Sequence, residues 1–203
     1  MNWRKRIFDV FFACLLVIIL GPVILFLIVY LLIKQGRPLF YVAERMKSPN
    51  ESFGLWKFRT MSIVTSDSGV SGPEKTSRIT SLGRRLRSKR LDEFPQLWNI
   101  IRGDLSFVGP RPPLRQYVEE FPEVYAHVLK SRPGVTGLAT IKMHKHEDYL
   151  LSRSKNATDT NRIYTQICIP RKARLDLTYQ RHQSICYDFD LVFQTINNLF
   201  RGR

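Results

Sequence analysis

Residues 10–33 read VFFACLLVIILGPVILFLIVYLLI, a run of twenty-four positions without a charged side chain. As a helix rising about 1.5 Å per residue, this stretch exceeds the roughly 30 Å hydrocarbon core of a bilayer. It is too long for the apolar region of a signal peptide, and the KQGRP that follows it contains no small-residue cleavage site. The segment is therefore expected to be retained and to lie in a membrane.

A Gly21-Pro22 pair divides this segment into two arms of eleven residues, 10–20 and 23–33. Proline removes a helical hydrogen bond and clashes with the preceding turn, so the pair predicts a bend. Positively charged flanks favour the cytoplasmic side, and a hairpin that enters and leaves by one face satisfies both flanks. A kinked single span is the alternative, because glycine and proline are common in spanning helices. The basic flanking residues are Arg4, Lys5, Arg6, Lys34 and Arg37.

The composition limits the function classes. The chain has 203 residues and a mass of 23.8 kDa, the size of about one ordinary domain. Thirty-two Lys and Arg against seventeen Asp and Glu give a net charge of +15. This balance predicts an anionic partner: nucleic acid, a phosphorylated substrate or an anionic lipid surface. Three cysteines without a disulfide spacing place the part outside the membrane in a reducing compartment.

The rest of the chain predicts an α+β fold that is mostly helical. Residues 39–42 and 53–58 are rich in aromatic and branched side chains, and the turn-forming SPNE between them predicts a β-hairpin. Residues 62–76 have little apolar periodicity and predict a loop. Apolar residues at helical spacing over 117–128 and 189–200 predict amphipathic helices, which pack on a core or lie on the membrane surface.

A polar cluster surrounds the stretch LDEFPQL at residues 91–97, which follows five cations within seven residues. The apolar spacing, and a proline that only a first turn tolerates, predict a helix that begins near Asp92. Asp92 and Glu93 would lie at its N-terminus, and Arg111 follows nineteen residues after Asp92 on a proline-stiffened segment. In isolation, an Asp in that position is most often a helix cap.

Together these side chains predict a diphosphate site. The helix N-terminus and the arginines would hold phosphate oxygens, while a divalent cation bridges carboxylate to phosphate. Such a carboxylate can attack phosphorus directly, which makes Asp92 the candidate nucleophile and Glu93 a candidate metal ligand or orienting residue. The rival hypothesis is a membrane-anchored basic module that binds anionic lipid or nucleic acid, with Asp92 as a simple cap.

Six motifs carry a resemblance to a known family. In this order they resemble the bacterial sugar transferases, the small monotopic phosphoglycosyl transferases, over nearly the whole chain. The block from Asp92 to Arg111 is highly specific. The motifs are KRIFD at 5–9, the break at 21–22, KFRTM at 57–61, LDEFPQL at 91–97, GDLSFVGPRP at 103–112 and RPGVTGL at 132–138.

The resemblance implies a reaction. A phosphosugar would pass from a UDP-sugar to polyprenyl phosphate (undecaprenyl phosphate), with release of UMP, as the first membrane step of bacterial glycan synthesis (O-antigen, capsule, exopolysaccharide or glycoprotein). It implies that Asp92 carries the phosphosugar covalently and that Mg²⁺ assists at Glu93, beside Asp92. It also implies that Arg87 and Arg111 hold the donor phosphates.

The resemblance further implies a layout. Residues 1–36 would form a re-entrant membrane hairpin, a helix-break-helix bent at Gly21 and Pro22, in the bacterial inner (cytoplasmic) membrane. Residues 37–203 would form a catalytic domain that faces the cytoplasm. The implied partners are the UDP-sugar donor, the polyprenyl phosphate acceptor and membrane lipid. Nucleic acid is not expected, and homo-oligomerisation stays open.

Two departures from the family pattern concern the bend and the choice of sugar. Gly21 stands where the family has Ser, which still permits the bend. After Leu138 the family commonly has a Gly-Arg pair, whereas this chain reads ATIKMHKH and continues with a longer insert to Pro170. The polar loop at 62–76 and the insert at 142–170 are therefore the candidates for donor specificity.

Overall fold

The computed structural model describes residues 3–62 and 77–200. Apart from Ser62, the predicted loop at 62–76 lies outside the described residues. The fold class is the predicted one, a mostly helical α+β fold. Its elements are α1 (Trp3–Gln35), β1 (Phe40–Ser48), β2 (Glu51–Phe58), α2 (Ser81–Ser88), a 3-10 turn (Leu91–Glu93), α3 (Gln96–Arg102), β3 (Ser106–Val108), α4 (Arg115–Glu120), α5 (Pro122–Val128), β4 (Gly134–Thr136), α6 (Leu138–Ser152), α7 (Ala157–Ile163), a π-helical turn (Tyr164–Cys168), α8 (Ile169–His182) and α9 (Ile185–Phe200).

Helix α1 contains the whole apolar segment and continues through Gly21 and Pro22. The sequence predicts two helices joined at a break, whereas the structure has one, because Pro22 removes a single N–H donor and a long helix tolerates that loss. Among the described residues α1 is long and apolar enough to cross a membrane, by length and composition. Ile18 and Ile33 expose three quarters of their surface. The re-entrant path stays a prediction.

The predicted β-hairpin follows α1 directly. Strands β1 and β2 are antiparallel, and their register places Tyr41 opposite Lys57. Because side chains alternate between the two faces of a strand, Arg45, four residues along β1, shares a face with Tyr41. This face lines the cleft in which the predicted site residues lie.

Helix α3 begins later than the sequence predicts. The expected start is near Asp92, whereas the structure has a 3-10 turn there and begins the α-helix at Gln96. Pro95 has no N–H to donate to the Leu91 carbonyl, and the Phe94 N–H takes that carbonyl at 3.3 Å. The two carboxylates therefore lie in a tight turn ahead of the helix.

A second small sheet, which sequence analysis does not predict, positions the segment of Arg111. Strands β3 and β4 pair in parallel. Gly109, after β3, donates its N–H to the Thr136 carbonyl at 2.9 Å. A Cβ at this glycine would lie 2.2 Å from the Arg132 carbonyl oxygen, so only glycine permits the approach. The backbone before Arg111 is thereby fixed against β4.

The predicted helices of the second half of the chain are present. The repeat over 117–128 forms α4 and α5, with Pro122 in the first turn of α5. The repeat over 189–200 lies in α9. The insert at 142–170 is helical as well, since it lies mostly in α6, α7 and the π-helical turn.

A buried polar network ties the start of α1 to the C-terminal helices. Lys5 Nζ lies 2.5 Å from Asp188 Oδ2, and both side chains are buried. The Tyr179 hydroxyl donates to the other oxygen of that carboxylate at 2.6 Å. Asp9, one turn further along α1, accepts a hydrogen bond from the Ser106 hydroxyl at 3.1 Å. Helix α1 is thus joined to β3 and α9.

The core lies on both sides of the hairpin. One cluster packs α4, α5 and α8 together around Tyr117 and Ile169. Another joins α1, the hairpin and α3. Its buried members are Ala13, Ala43, Phe53, Leu55, Leu97, Ile100 and Leu105.

Candidate active site

A cleft of about 590 Å³ lies between the hairpin, the 3-10 turn, the segment after β3 and helices α6 and α8. The structure brings all four predicted site residues to its lining: Arg87, Asp92, Glu93 and Arg111. Among the described residues, the lining has eight Lys and Arg against five Asp and Glu. The cleft therefore favours an anionic ligand.

Of the two carboxylates, Asp92 and Glu93, only Glu93 is bound by other side chains among the described residues. Arg90 donates to Glu93 Oε2 at 2.6 Å, and Lys57 Nζ lies 3.5 Å from Oε1. Burial alone would raise the pKa of the Glu93 carboxyl, but the surrounding lysine and arginine charges hold it below its usual range. Glu93 is thus ionised and fixed in orientation.

The Asp92 carboxylate is buried and, among the described residues, has no side-chain partner. Only 6% of its surface is exposed, and among the described residues no other side chain donates a hydrogen bond to its carboxylate or pairs with it. Burial and the adjacent Glu93 charge raise the pKa of the Asp92 carboxyl above its usual value. Its oxygens are available to a ligand in the cleft, which is what the nucleophile hypothesis requires.

The two predicted phosphate-binding arginines are presented in different ways. Arg87 lies in the last turn of α2, where its Nε donates to Thr60 Oγ1 at 2.8 Å and leaves its terminal nitrogens for a ligand. Arg111 is exposed in the cleft, and among the described residues no acceptor binds its guanidinium. Both arginines can therefore donate to an anion beside Asp92.

Among the cations of this cleft that sequence reasoning missed are Arg45, Lys57 and Arg90. Lys57 begins the KFRTM motif, and Arg90 belongs to the five-cation cluster, but neither signal assigns them to Glu93. Arg90 has a left-handed backbone conformation, with φ of 54°, which turns the chain just before the carboxylates. Burial lowers the pKa of Lys57 below its usual value, and neighbouring arginines lower it further.

Comparison with known proteins decides the family. A family model described as bacterial sugar transferase matches residues 1–202. The chain belongs to this family. The Bacillus subtilis (strain 168) protein named uncharacterized sugar transferase EpsL is 39% identical over 137 residues, which cover 68% of this chain and 67% of that protein.

Several relatives of this chain carry functional names. The Aeromonas hydrophila UDP-N-acetylgalactosamine-undecaprenyl-phosphate N-acetylgalactosaminephosphotransferase is 29% identical over 204 residues, covering 98% of this chain and 44% of that protein. The Klebsiella pneumoniae UDP-glucose:undecaprenyl-phosphate glucose-1-phosphate transferase is 29% identical over 202 residues, covering 98% of this chain and 40% of that protein. The chain thus spans less than half the length of these two proteins.

The insert at 142–170 forms one wall of the cleft in this sugar transferase. His144, Glu147 and Tyr164 from the insert line it. Lys172 of α8 pairs with Glu147 at 3.1 Å. Asp176, one turn further along α8, also lines the cleft, and burial raises its pKa to about 7. The insert therefore meets the cleft with polar groups.

The carboxylates that line the cleft are possible metal ligands, which suit a Mg²⁺ site. Among the described residues, no group of three or more His, Cys, Asp or Glu side chains could hold a metal ion. Asp92 and Glu93 offer two adjacent carboxylates. Mg²⁺ in phosphoryl-transfer sites is commonly held by one or two carboxylates together with substrate phosphates and water. The pair therefore fits two of the ligand positions of such a Mg²⁺ ion.

Proposed function

We propose that this chain transfers a phosphosugar from a UDP-sugar to polyprenyl phosphate (undecaprenyl phosphate) and releases UMP. The observation that carries the proposal is Asp92, a buried carboxylate without a side-chain partner among the described residues, in a cleft with an excess of cations. The names of the Aeromonas and Klebsiella relatives describe the same type of transfer. Those names differ in the sugar, so family membership leaves the sugar open.

The proposed chemistry has two displacements at one phosphorus atom. Asp92 attacks the phosphorus that bears the sugar, the bond from that phosphorus to the bridging oxygen breaks, and UMP leaves with the electron pair. An oxygen of polyprenyl phosphate then attacks the same phosphorus and returns Asp92 as a free carboxylate. Arg87 and Arg111 stabilise the charge on the phosphates, and Glu93 with its cations orients the turn.

Mg²⁺ is the proposed cofactor, held by Asp92 and Glu93 together with the donor phosphates. When bound, it supplies charge neutralisation on the transferring phosphoryl group. Glu93 stays ionised for this role because its cationic neighbours lower the pKa of its carboxyl. The oxygens of Asp92 have no side-chain partner among the described residues, so they are available to the same ion.

The proposed reaction and its metal are tested together in detergent. Purified protein with short-chain polyprenyl phosphate, Mg²⁺ and a panel of UDP-sugars is expected to release UMP with one donor. Chelation with EDTA should reduce that release by about a hundredfold or more, and added Mg²⁺ should restore it. Folded protein that releases no UMP with any donor, yet binds anionic lipid in a salt-sensitive and EDTA-resistant way, would support the basic binding module instead.

We further propose that residues 1–36 form a re-entrant element and residues 37–203 the catalytic domain, on the cytoplasmic face of the inner membrane. Both ends of α1 contact the same domain: Arg6 donates to the Ile100 carbonyl at 2.6 Å, and Arg59 donates to the Gln35 carbonyl at 2.6 Å. A helix that crossed the bilayer would place its two ends on opposite sides of the membrane, where a domain on one side could not contact both. This contact pattern supports the hairpin path.

Single cysteines at the two flanks test the path. In a background with Cys14, Cys168 and Cys186 replaced by Ser, Trp3→Cys and Arg37→Cys are each labelled in intact spheroplasts with a membrane-impermeant maleimide. We expect neither to react until the cells are permeabilised, because both flanks face the cytoplasm. Labelling of one flank but not the other before permeabilisation would establish a single span.

The place of the reaction follows from its product. A sugar linked through a diphosphate to a polyprenyl chain is a membrane-held starting unit, so we propose the first membrane step of a bacterial glycan. The polar wall formed by the insert at 142–170 supports a role for that insert in the choice of sugar.

A further inference from the structure

Arg45 is a cation of the cleft to which the proposed chemistry gives no role. It lies on β1, on the hairpin face that lines the cleft, and it is half-buried. Arg45, Lys57, Glu93 and Arg111 also meet around a smaller cavity beside the main cleft. Arg45 therefore lies near the 3-10 turn that contains Asp92 and Glu93, although it precedes that turn by more than forty residues in the sequence.

The Arg45 guanidinium has no partner among the described residues. Its Nε is buried without a hydrogen bond, and its terminal nitrogens form no hydrogen bond or ion pair with the residues that the structure describes. By contrast, Arg90 binds Glu93, and Arg59 binds the Gln35 carbonyl. An arginine has five N–H donors and is charged at all physiological pH values, so a half-buried guanidinium whose Nε lacks an acceptor is costly.

A second cation increases this cost. Burial and the adjacent Arg111 charge lower the pKa of Arg45 below its usual value. Arg111 is itself without an acceptor among the described residues. Two like charges that face one cleft destabilise the empty protein, and an anion placed between them would relieve both the repulsion and the missing hydrogen bonds.

The order of the two proposed displacements indicates which anion would bind between Arg45 and Arg111. In phosphoryl transfer the attacking and leaving oxygens lie roughly in line through phosphorus. In the first displacement Asp92 is on one side and the UMP phosphate leaves on the other. In the second, Asp92 is the leaving group, so the polyprenyl phosphate must attack from the side that UMP vacated. The two phosphates therefore use one place in turn.

We propose that Arg45, with Arg111, forms an exchange phosphate site that holds the UMP phosphate as it leaves and then the polyprenyl phosphate as it enters. This inference rests on the proposed function. It makes Arg45 a phosphate-binding residue common to both half-reactions, and it explains why the site carries charge that the protein itself does not compensate.

Binding measurements without turnover test the exchange site. The probes are UMP, uridine and a short-chain polyprenyl phosphate, each titrated into the full chain in detergent. Arg45→Met, which removes the guanidinium and its charge but keeps an unbranched side chain, is expected to weaken the binding of UMP and of polyprenyl phosphate by a similar factor of about 10 to 100 and to leave uridine binding unchanged. UMP should displace polyprenyl phosphate from the wild type. Arg84→Met, an exposed arginine of α2 outside the cleft lining, is the matched control and should bind like wild type.

The melting temperature of the ligand-free variant separates binding from a structural role. Removal of one of two facing charges should raise it by about 2–4 °C. A lower melting temperature together with weaker uridine binding would mean that Arg45 supports the fold, which overturns the proposal. If Arg45→Met lost affinity for only one of the two ligands, UMP or polyprenyl phosphate, the proposal of a shared phosphate site would be wrong. Wild-type protein that binds neither phosphate contradicts the proposed function, whereas binding by wild type and Arg45→Met alike contradicts only this inference.

Discussion

Asp92→Asn is expected to reduce UMP release from the accepted UDP-sugar by at least about a thousandfold. The amide cannot form the acyl phosphate, because it lacks the nucleophilic carboxylate, while its size and hydrogen-bonding reach are almost those of Asp. We do not expect Glu93 to substitute, because Arg90 and Lys57 fix the orientation of its carboxylate. The measurement is the initial rate of UMP release at saturating donor and acceptor.

The control for this prediction is Asp190→Asn. Asp190 is an exposed residue of α9 that accepts a hydrogen bond from Gln194 and lies outside the cleft lining. The Asp190→Asn substitution makes the same chemical change as Asp92→Asn, and it should leave the rate of UMP release at the wild-type value. If Asp92→Asn were folded, bound UMP normally and still released it within tenfold of wild type, Asp92 would not be the nucleophile.

Asp188→Ala is expected to have the largest effect on stability. The change removes the carboxylate that pairs with buried Lys5 and leaves an uncompensated ammonium group, which costs about 3–5 kcal/mol. The Tyr179 hydroxyl also loses its acceptor at 2.6 Å. We expect the melting temperature in detergent to fall by about 10 °C or more, as measured by the intrinsic fluorescence of the protein.

A double variant separates the ion pair from simple packing loss. Lys5→Met combined with Asp188→Leu removes both charges and keeps most of the volume, so it should recover most of the lost stability. If the double variant were as unstable as Asp188→Ala, the loss would come from packing between α1 and α9. A single variant with the wild-type melting temperature would show that the pair does not join the two helices.

The elements that the sequence predicts correctly are those with local signals. The apolar run, the SPNE turn between two β-rich stretches, and the helical repeats each indicate the right kind of element, although α1 continues through the predicted break and β1 extends to Ser48. The grouping of Arg87, Asp92, Glu93 and Arg111 in one cleft was also predictable, since the first three lie within seven residues and prolines restrict the segment of the fourth.

The remaining features depend on contacts between distant positions. The parallel pair β3–β4 has strands of three residues, too short for a pattern, and close backbone approach at Gly109 fixes it. The start of α3 moved to Gln96 because one missing N–H favours 3-10 geometry, an effect that apolar spacing does not report. Lys5 and Asp188 are 183 positions apart, and nothing in either neighbourhood indicates their pairing.

Arg45 shows the same limit within the site. In the sequence it is one basic residue in a predicted strand, and the +15 charge gives no reason to single it out. Its role follows only from its place on the cleft face of β1, beside Arg111 and without an acceptor among the described residues. The sequence therefore points to the candidate nucleophile and the candidate metal ligand more directly than to the proposed site for the second phosphate.

The covalent intermediate is tested most directly by the intact mass of the protein after brief incubation with the accepted UDP-sugar and Mg²⁺, without polyprenyl phosphate, followed by an acid quench. We expect an added mass equal to one phosphosugar, located on the peptide that contains Asp92, absent from Asp92→Asn and discharged when polyprenyl phosphate is added before the quench. Protein that forms the lipid-linked product at a normal rate, yet never carries the phosphosugar under these conditions, would contradict the covalent intermediate and favour direct transfer between the two bound substrates.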